Sequence, residues 1–317
     1  MQSPRDETLR ALLRNLYPDN SSGDLEELSS QLLQILGHAA VHADPSLDVE
    51  PWFGNDVVLI TYADAVLDEQ KPGLQGLSRF VNRHLRLFAP VIHVLPFLES
   101  TSDGGFAVAS HERLESRHGE WSDLAALAEG RRLMADLVLN HVSASHPWVR
   151  QFLRDEAPGR FCVLEAEPHP CWDSVVRPRS SALFTRLQGP SGHRQVWTTF
   201  GPDQVDVNWR HPEVLLGFVR LLKQKLSHGV RWIRLDAVGF VWKEPHTDCI
   251  HRPEAHQLVE VLRYLMSHVC GDGGVVVTET NVPEQENLSY LRSGREAHLA
   301  YNFPLPPLLL EATISGS

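Results

Sequence analysis

Four short stretches of the chain place polar or charged residues where a buried strand should end. Residues 230–240 read VRWIRLDAVGF, with Arg234 and Asp236 two positions apart. Residues 132–142, RLMADLVLNHV, close on Asn140 and His141, and residues 274–282, GVVVTETNV, contain Glu279. The fourth, VIHVLPFLESTSDGGF, runs from an apolar segment at Val91 into a loop carrying Asp103. Residues i and i+2 of a strand share a face, so Arg234 and Asp236 point the same way. Buried charges are costly unless paired. Two carboxylates on neighbouring strands suit glycosyl transfer. A retaining mechanism uses one carboxylate as nucleophile and one carboxylic acid as proton donor, about 5–5.5 Å apart. The nucleophile must stay ionised, which an arginine two residues earlier favours. Asp236 is therefore the expected nucleophile and Glu279 the expected general acid/base. Bland readings stand beside these. A strand-end histidine often serves only as a hydrogen bonder, and Arg-x-Asp also fits a strand-end salt bridge. Stability alone explains four such strand ends poorly.

These residues need strands to carry them. Short apolar runs at 56–64, 91–99, 132–142, 230–240, 274–282 and 297–305 alternate with helical patterns at 76–88, 121–130, 213–229 and 255–269. That alternation predicts parallel βα units, with Ser122 available to cap the second helix and Gly229 to stop the third. In a βα barrel, polar residues at the C-terminal strand ends face the active site. The predicted fold is α/β, a parallel βα arrangement with about six strands in residues 56–142 and 213–317. Residues 143–212 hold many Pro, Trp, Arg and Gly and are far too long for an ordinary βα loop. They are expected to form an inserted subdomain after the third strand. Leucines at helical spacing in LRALLRNLY and LEELSSQLLQILGHAAVHA predict an N-terminal helical extension over 1–55, the second helix capped by Ser22 or Asp24.

The 317 residues are 42% hydrophobic and 22% charged, as a globular chain requires. The formal charge of −11 argues against nucleic acid as a partner. No apolar run reaches the ~18–20 residues of a membrane-spanning helix. The polar start MQSPRDETLR lacks the apolar core of a signal peptide. Cys162, Cys171, Cys249 and Cys270 show no C-x-x-C spacing and read as reduced thiols, so a cytoplasmic location is expected.

VRWIRLDAVGF, ADLVLNHV and VVVTETN resemble motifs of the α-amylase superfamily, glycoside hydrolase family 13. HVLPFLESTSDGGF, RLDAVGFVWKEPHT, TETNVPEQENLSYL and YNFPLPPLLL resemble its sucrose phosphorylase branch. The N-terminal extension and TETNVP look more like relatives acting on sucrose 6'-phosphate, glucosylglycerate or glucosylglycerol. The resemblance covers about residues 56–311 and implies an α/β (β/α)8 TIM barrel, incomplete in this chain, with roles by position. Asp236 matches the nucleophile that forms a β-glucosyl ester, Glu279 the acid/base, and Arg234 the arginine beside the nucleophile. His141 matches a residue binding the donor glucose. Asp103 matches the aspartate closing the donor site, with Phe106 packing on the sugar. Phe200 and Gln204 match an aromatic and an amide facing the sugar from the insert, and Phe240 an aromatic near the acceptor. The implied reaction gives α-glucose 1-phosphate with retention, inorganic phosphate serving as co-substrate. No cofactor is implied. Asn140 matches a calcium ligand of true amylases, but the branch generally lacks that ion, so no metal is expected. The implied partners are sucrose or a related α-glucoside and phosphate, with no nucleic acid and no membrane. A homodimer of a full-length parent is left open.

The chain departs from the family pattern in two places. Six strands are counted where the family barrel has eight, and no later His-Asp strand end supplies a third carboxylate. A truncated chain that is inactive or weak alone is therefore expected. The second departure is Ser110, which precedes His111 where relatives usually read Asp-Tyr or Asp-His. Two alternatives remain beside the phosphorylase: an α-glucosidase or transglucosidase of the same superfamily, and a non-catalytic remnant.

Overall fold

The computed structural model describes residues 4–37, 57–67, 71–86 and 88–316. In chain order its elements are α1 (Pro4–Leu16), α2 (Ser22–Leu36), β1 (Val58–Thr61), α3 (Gly73–His84), β2 (Val91–Val94), α4 (Trp121–Ala128), β3 (Arg132–Val138), β4 (His141–Ser143), α5 (Pro147–Leu153) and α6 (Gly159–Cys162). They continue with β5 (Phe184–Gly189), β6 (Gly192–Trp197), β7 (Gln204–Asp206), α7 (Pro212–Ser227), β8 (Val230–Asp236), α8 (Pro253–Cys270), β9 (Val275–Thr278), α9 (Glu284–Asn287), α10 (Ser289–Arg292), β10 (Leu299–Ala300) and α11 (Leu305–Ser315).

One six-stranded sheet runs β1-β2-β3-β8-β9-β10, parallel throughout. It forms part of a barrel wall. One face packs on helices: Ile92, Val94, Leu133, Ala135, Leu137, Ile233, Leu235 and Val276 belong to the main core with the leucines of α7 and α8. The other face carries a smaller cluster of Val91, Met134, Trp232, Val275 and Val277. Register slips at the foot of β8, where Leu133 pairs with Val230 but Met134 with Trp232. The bulged Arg231 sets the parity. It turns Val230 and Ile233 to the helical face and leaves Trp232, Arg234 and Asp236 on the inner one.

Several local expectations shift. The strand predicted over 132–142 breaks after Val138, and His141–Ser143 pairs instead antiparallel with Gln204–Asp206. Helix α4 begins at Trp121 behind Glu120, whose side chain and Asp123 form a reciprocal capping box, so Ser122 is not the cap. Helix α2 is capped by Ser21 with Asp24 closing the box, rather than by Ser22 or Asp24. The sixth strand shrinks to Leu299–Ala300, because Pro304 and the prolines after Leu305 start α11. Residues 38–55 of the expected extension, and Asp56, lie outside the described residues. The described extension packs α1 on α8 and α2 on α7, burying Leu9, Leu13, Leu16, Leu32 and Leu36 completely. Exposed apolar side chains gather at the two sheet edges, with Val58 and Ile60 on β1 and Leu308, Leu309 and Ile314 on α11.

Within residues 143–212, β5 and β6 form a hairpin, and α5 is held against α7 by Trp148 and Phe218. His146 caps α5, its Nδ1 accepting from the Trp148 amide at 3.2 Å, and is only 3% exposed. Burial lowers its pKa to about 2, and the charges of His111 and Arg150 act the same way. A neutral ring is what a cap acceptor requires. In the unfolded chain this histidine protonates near ~6.5, so below that pH the unfolded state takes up more protons. Stability must therefore fall as pH drops from 6.5. The His146 contribution to the thermal midpoint should be constant from pH 8 to 7 and be lost steadily toward pH 4. His146→Asn keeps an acceptor that cannot titrate and should flatten part of that loss. An unchanged slope would contradict this reading.

Candidate active site

The inner face of the sheet is layered. The apolar cluster of Met134, Trp232 and Val275 forms its floor. One residue pair further along each strand, His93, Asp136 and Arg234 form a polar layer, all buried. Above it, Asp236 ends β8 and Glu279 follows β9. Register explains the meeting. Asp136 pairs with Arg234, and Arg234 with Val277 two residues before Glu279. Adjacent strands lie about 4.8 Å apart, so these side chains touch.

Arg234 is the hub. Its Nη1 donates to Asp136 Oδ1 and, at 2.8 Å, to Asp236 Oδ1. Its Nη2 lies 3.7 Å from Glu279 Oε1. The Ala237 amide, left-handed at φ 52°, donates to Glu279 Oε2 at 3.2 Å. Asp136 is fixed from the other side by His93 Nε2 at 2.9 Å, and the His93 Nδ1 lies 3.2 Å from the Tyr301 hydroxyl. Phe106 and Tyr301 place their rings 5.5 and 5.3 Å from the guanidinium carbon. Burial would raise the Asp136 carboxyl, but the hydrogen bond to His93 and the Arg234 charge overcome it and hold the group below the ordinary carboxylate range. Burial pushes Asp236 up to about 8 against the pull of Arg234, and Glu279 and Asp136 add to the rise, so the arginine does not by itself hold this carboxyl ionised at neutral pH as its spacing suggested. Burial lowers the Arg234 pKa but the three carboxylates raise it further, so the guanidinium stays charged.

The second half of the site comes from the β4–β7 ribbon and the loop after β2. Gln204 Nε2 donates to Asp103 Oδ2 at 2.8 Å and sits 3.0 Å from His141 Nε2. The Phe200 ring lies 5.2 Å from His141 and 5.5 Å, edge-on, from Phe240. Burial, with Lys243 nearby, lowers His141 to about 4, so the imidazole is neutral. The structure thus links Asp103, Gln204, His141, Phe200 and Phe240 in one chain of contacts. Phe106 joins that chain to Arg234, Asp236 and Glu279. Asp103 itself is exposed, and Asp236 is buried.

Asn140 has a different task from ion binding. Its side-chain oxygen accepts from the Lys243 ammonium at 2.7 Å, and Lys243 also reaches Asp206 at 2.5 Å and the Phe240 carbonyl. Asp206 accepts in addition from the Thr199 amide at 2.8 Å and from the Thr199 hydroxyl at 2.6 Å. A lysine cation satisfies these acceptors, so the donor set does not fit a calcium ion. Among the described residues no group of three His, Cys, Asp or Glu side chains is placed to hold a metal. Sequence reasoning left Asp136, His93, Tyr301, Lys243 and Asp206 without roles. Asp136 and His93 were visible as polar interruptions of apolar strands; Lys243 carried no such signal.

A profile of the alpha-amylase catalytic domain matches residues 74–314, and the chain belongs to that family. Among curated relatives, the glucosylglycerate phosphorylase of Allomeiothermus silvanus is 44% identical over 266 residues, 84% of this chain and 48% of that protein. The glucosylglycerate phosphorylase of Spirochaeta thermophila is 38% identical over 310 residues, 96% of this chain and 52% of that protein. The chain spans about half the length of the curated relatives it matches. Among solved structures, sucrose 6F-phosphate phosphorylase from Thermoanaerobacter thermosaccharolyticum superposes with a TM-score of 0.75 at 23% identity, over 88% of this chain and 57% of that one. That likeness establishes the fold, a TIM-barrel wall of six parallel strands.

The Lys243 cation is the charge that makes a fully buried Asp206 tolerable. Removing one partner of a buried pair costs about 3–5 kcal/mol. Lys243→Met should lower the denaturation free energy on that scale, and Lys243→Met with Asp206→Asn should recover part of it. A double-variant loss equal to the sum of the Lys243→Met and Asp206→Asn losses would show that the pair is not coupled.

Proposed function

We propose that this site serves a retaining α-glucoside phosphorylase. The observation that carries the reading is the single guanidinium of Arg234 held between Asp236 at 2.8 Å and Glu279 at 3.7 Å on neighbouring strand ends. Asp236 attacks the anomeric carbon as the glycosidic bond breaks, and Glu279 gives its proton to the departing oxygen. A phosphate oxygen then attacks the β-glucosyl ester, Asp236 leaves as carboxylate, Glu279 regains a proton from phosphate, and α-glucose 1-phosphate is released with configuration retained. His141, Gln204, Asp103, Phe106 and Phe200 hold the donor glucose, and Phe240 lies toward the acceptor. The phosphorylase names of the relatives at 44% and 38% identity support phosphate rather than water as the attacking group, and glucosylglycerate is the first donor to try.

Within this reading residues 143–212 are an inserted subdomain, and α1 and α2 belong to an N-terminal helical extension packed on α8 and α7. The reaction uses no cofactor beyond phosphate. The proposed setting is the cytoplasm, without nucleic acid or membrane, and a homodimer is left open only for a full-length parent. No helix among the described residues is long and apolar enough to cross a membrane.

The test is to incubate the purified protein with inorganic phosphate and, separately, glucosylglycerate, sucrose, sucrose 6F-phosphate and glucosylglycerol. Weak, phosphate-dependent release of α-glucose 1-phosphate is expected from this chain alone, fastest from glucosylglycerate. Asp236→Ala should abolish it, and Glu279→Gln should cut it about 10²-fold or more. Free glucose in place of the phosphate ester would favour a hydrolase instead.

A further inference from the structure

We propose that Asp203 is a positioning residue for donor binding, a carboxylate latch that ties the loop bearing Asp103 and Phe106 to the β4–β7 ribbon. The proposal rests on the reading of that loop as part of the donor site.

The loop needs a latch. Asp103, Gly104 and Gly105 are consecutive residues in the left-handed region, at φ 53°, 62° and 103°. Such a run is unfavourable for the aspartate, and surrounding structure must enforce it. Gly105 has no alternative, since a Cβ there would lie 2.7 Å from the Pro96 carbonyl oxygen. The loop's own backbone bonds are short-range: Phe106 to Asp103 at 3.1 Å, Gly105 and Ala107 to Ser102 at 3.3 Å each, Val108 to Phe106 at 3.1 Å and Thr101 to Ala107 at 3.0 Å. Asp103 and its two predecessors are exposed.

Asp203 supplies what is missing. Its Oδ2 accepts from Thr101 Oγ1 and from Ser102 Oγ, each at 2.6 Å. Its Oδ1 lies 3.2 Å from Ser143 Oγ on β4. Ser143 Oγ is also 2.7 Å from Thr101 Oγ1 and accepts from the Ser145 amide at 3.0 Å. The protons balance. Thr101 and Ser102 each spend their one hydroxyl hydrogen on the carboxylate, and Ser143 gives its own to Thr101 or to Asp203. Asp203 is itself anchored, its carbonyl accepting from the Ala144 amide at 3.0 Å. The next residue, Gln204, holds the Asp103 carboxylate at 2.8 Å. Two consecutive residues thus grip the loop at its base and at its tip. Hydrogen bonds to an ionised acceptor are roughly twice as strong as neutral ones. Releasing the base lets Asp103 leave the left-handed region and takes Phe106 with it.

The experiment compares wild type, Asp203→Ala and Asp203→Asn by hydrogen exchange and by calorimetric titration with α-glucose 1-phosphate. In Asp203→Ala the amides of Phe106 and Ala107 should exchange about tenfold faster or more, with β3 and β8 unchanged. The titration should weaken by a similar factor. Asn can still accept from one hydroxyl and donate to another, so Asp203→Asn should restore most of both. Unchanged loop exchange, or acceleration spread equally through β3 and β8, overturns the proposal. So does wild-type binding that Asp203→Ala leaves intact. A wild type that does not bind the probe would count against the donor-site reading, and the exchange data would still decide the latch.

Discussion

The site depends on one buried cation. Asp136, Asp236 and Glu279 converge on Arg234 in a layer of the barrel wall that water barely reaches, and repulsion among three carboxylates would otherwise open it. The guanidinium solves this because its donors form a planar fork that a lysine cannot reproduce. Its position is in turn over-determined. His93 holds Asp136, Tyr301 braces His93, and two aromatic rings flank the guanidinium. The apolar floor of Met134, Trp232 and Val275 closes the layer from below. The strand-end carboxylates therefore rest on a network whose members come from β2, β3, β8 and the end of β10.

A second cation does similar work one layer higher. Lys243 neutralises Asp206 and meets Asn140 and the Phe240 carbonyl, so it joins the β4–β7 ribbon to the segment following β8. Phe240, Phe200, His141 and Gln204 then form a wall opposite the carboxylates. The two halves of the site come from different parts of the chain. One is set by strand register. The other is set by side-chain hydrogen bonds across large sequence separations, as in the bonds from Thr101 and Ser102 to Asp203.

That difference decides what could be read in advance. Strand parity is local, so Arg234 and Asp236 on one face, and a carboxylate at the end of the following strand, follow from the residue pattern. The parallel βα rhythm is legible for the same reason. The Arg231 bulge is not, because it appears only in the register slip of β8 against β3 between Leu133 and Met134. The two-residue length of β10 is set by the prolines that begin α11, which were read there as part of a strand. Capping was misread by one or two residues at both Ser122 and Ser22, since several polar residues compete at each helix start. Lys243 and Asp203 lie in segments with no period at all, and only the fold reveals that Asn140 is 103 residues from Lys243 and Thr101 is 102 residues from Asp203.

Arg234 and Asp136 form one coupled electrostatic unit beneath the strand-end carboxylates Asp236 and Glu279. A double-mutant cycle tests it most directly, using denaturant unfolding of Arg234→Met, Asp136→Asn and the combined variant. The account predicts a coupling energy above about 1.5 kcal/mol, with the double variant less destabilised than the sum of the singles. Additive losses, within about 0.5 kcal/mol, would contradict it.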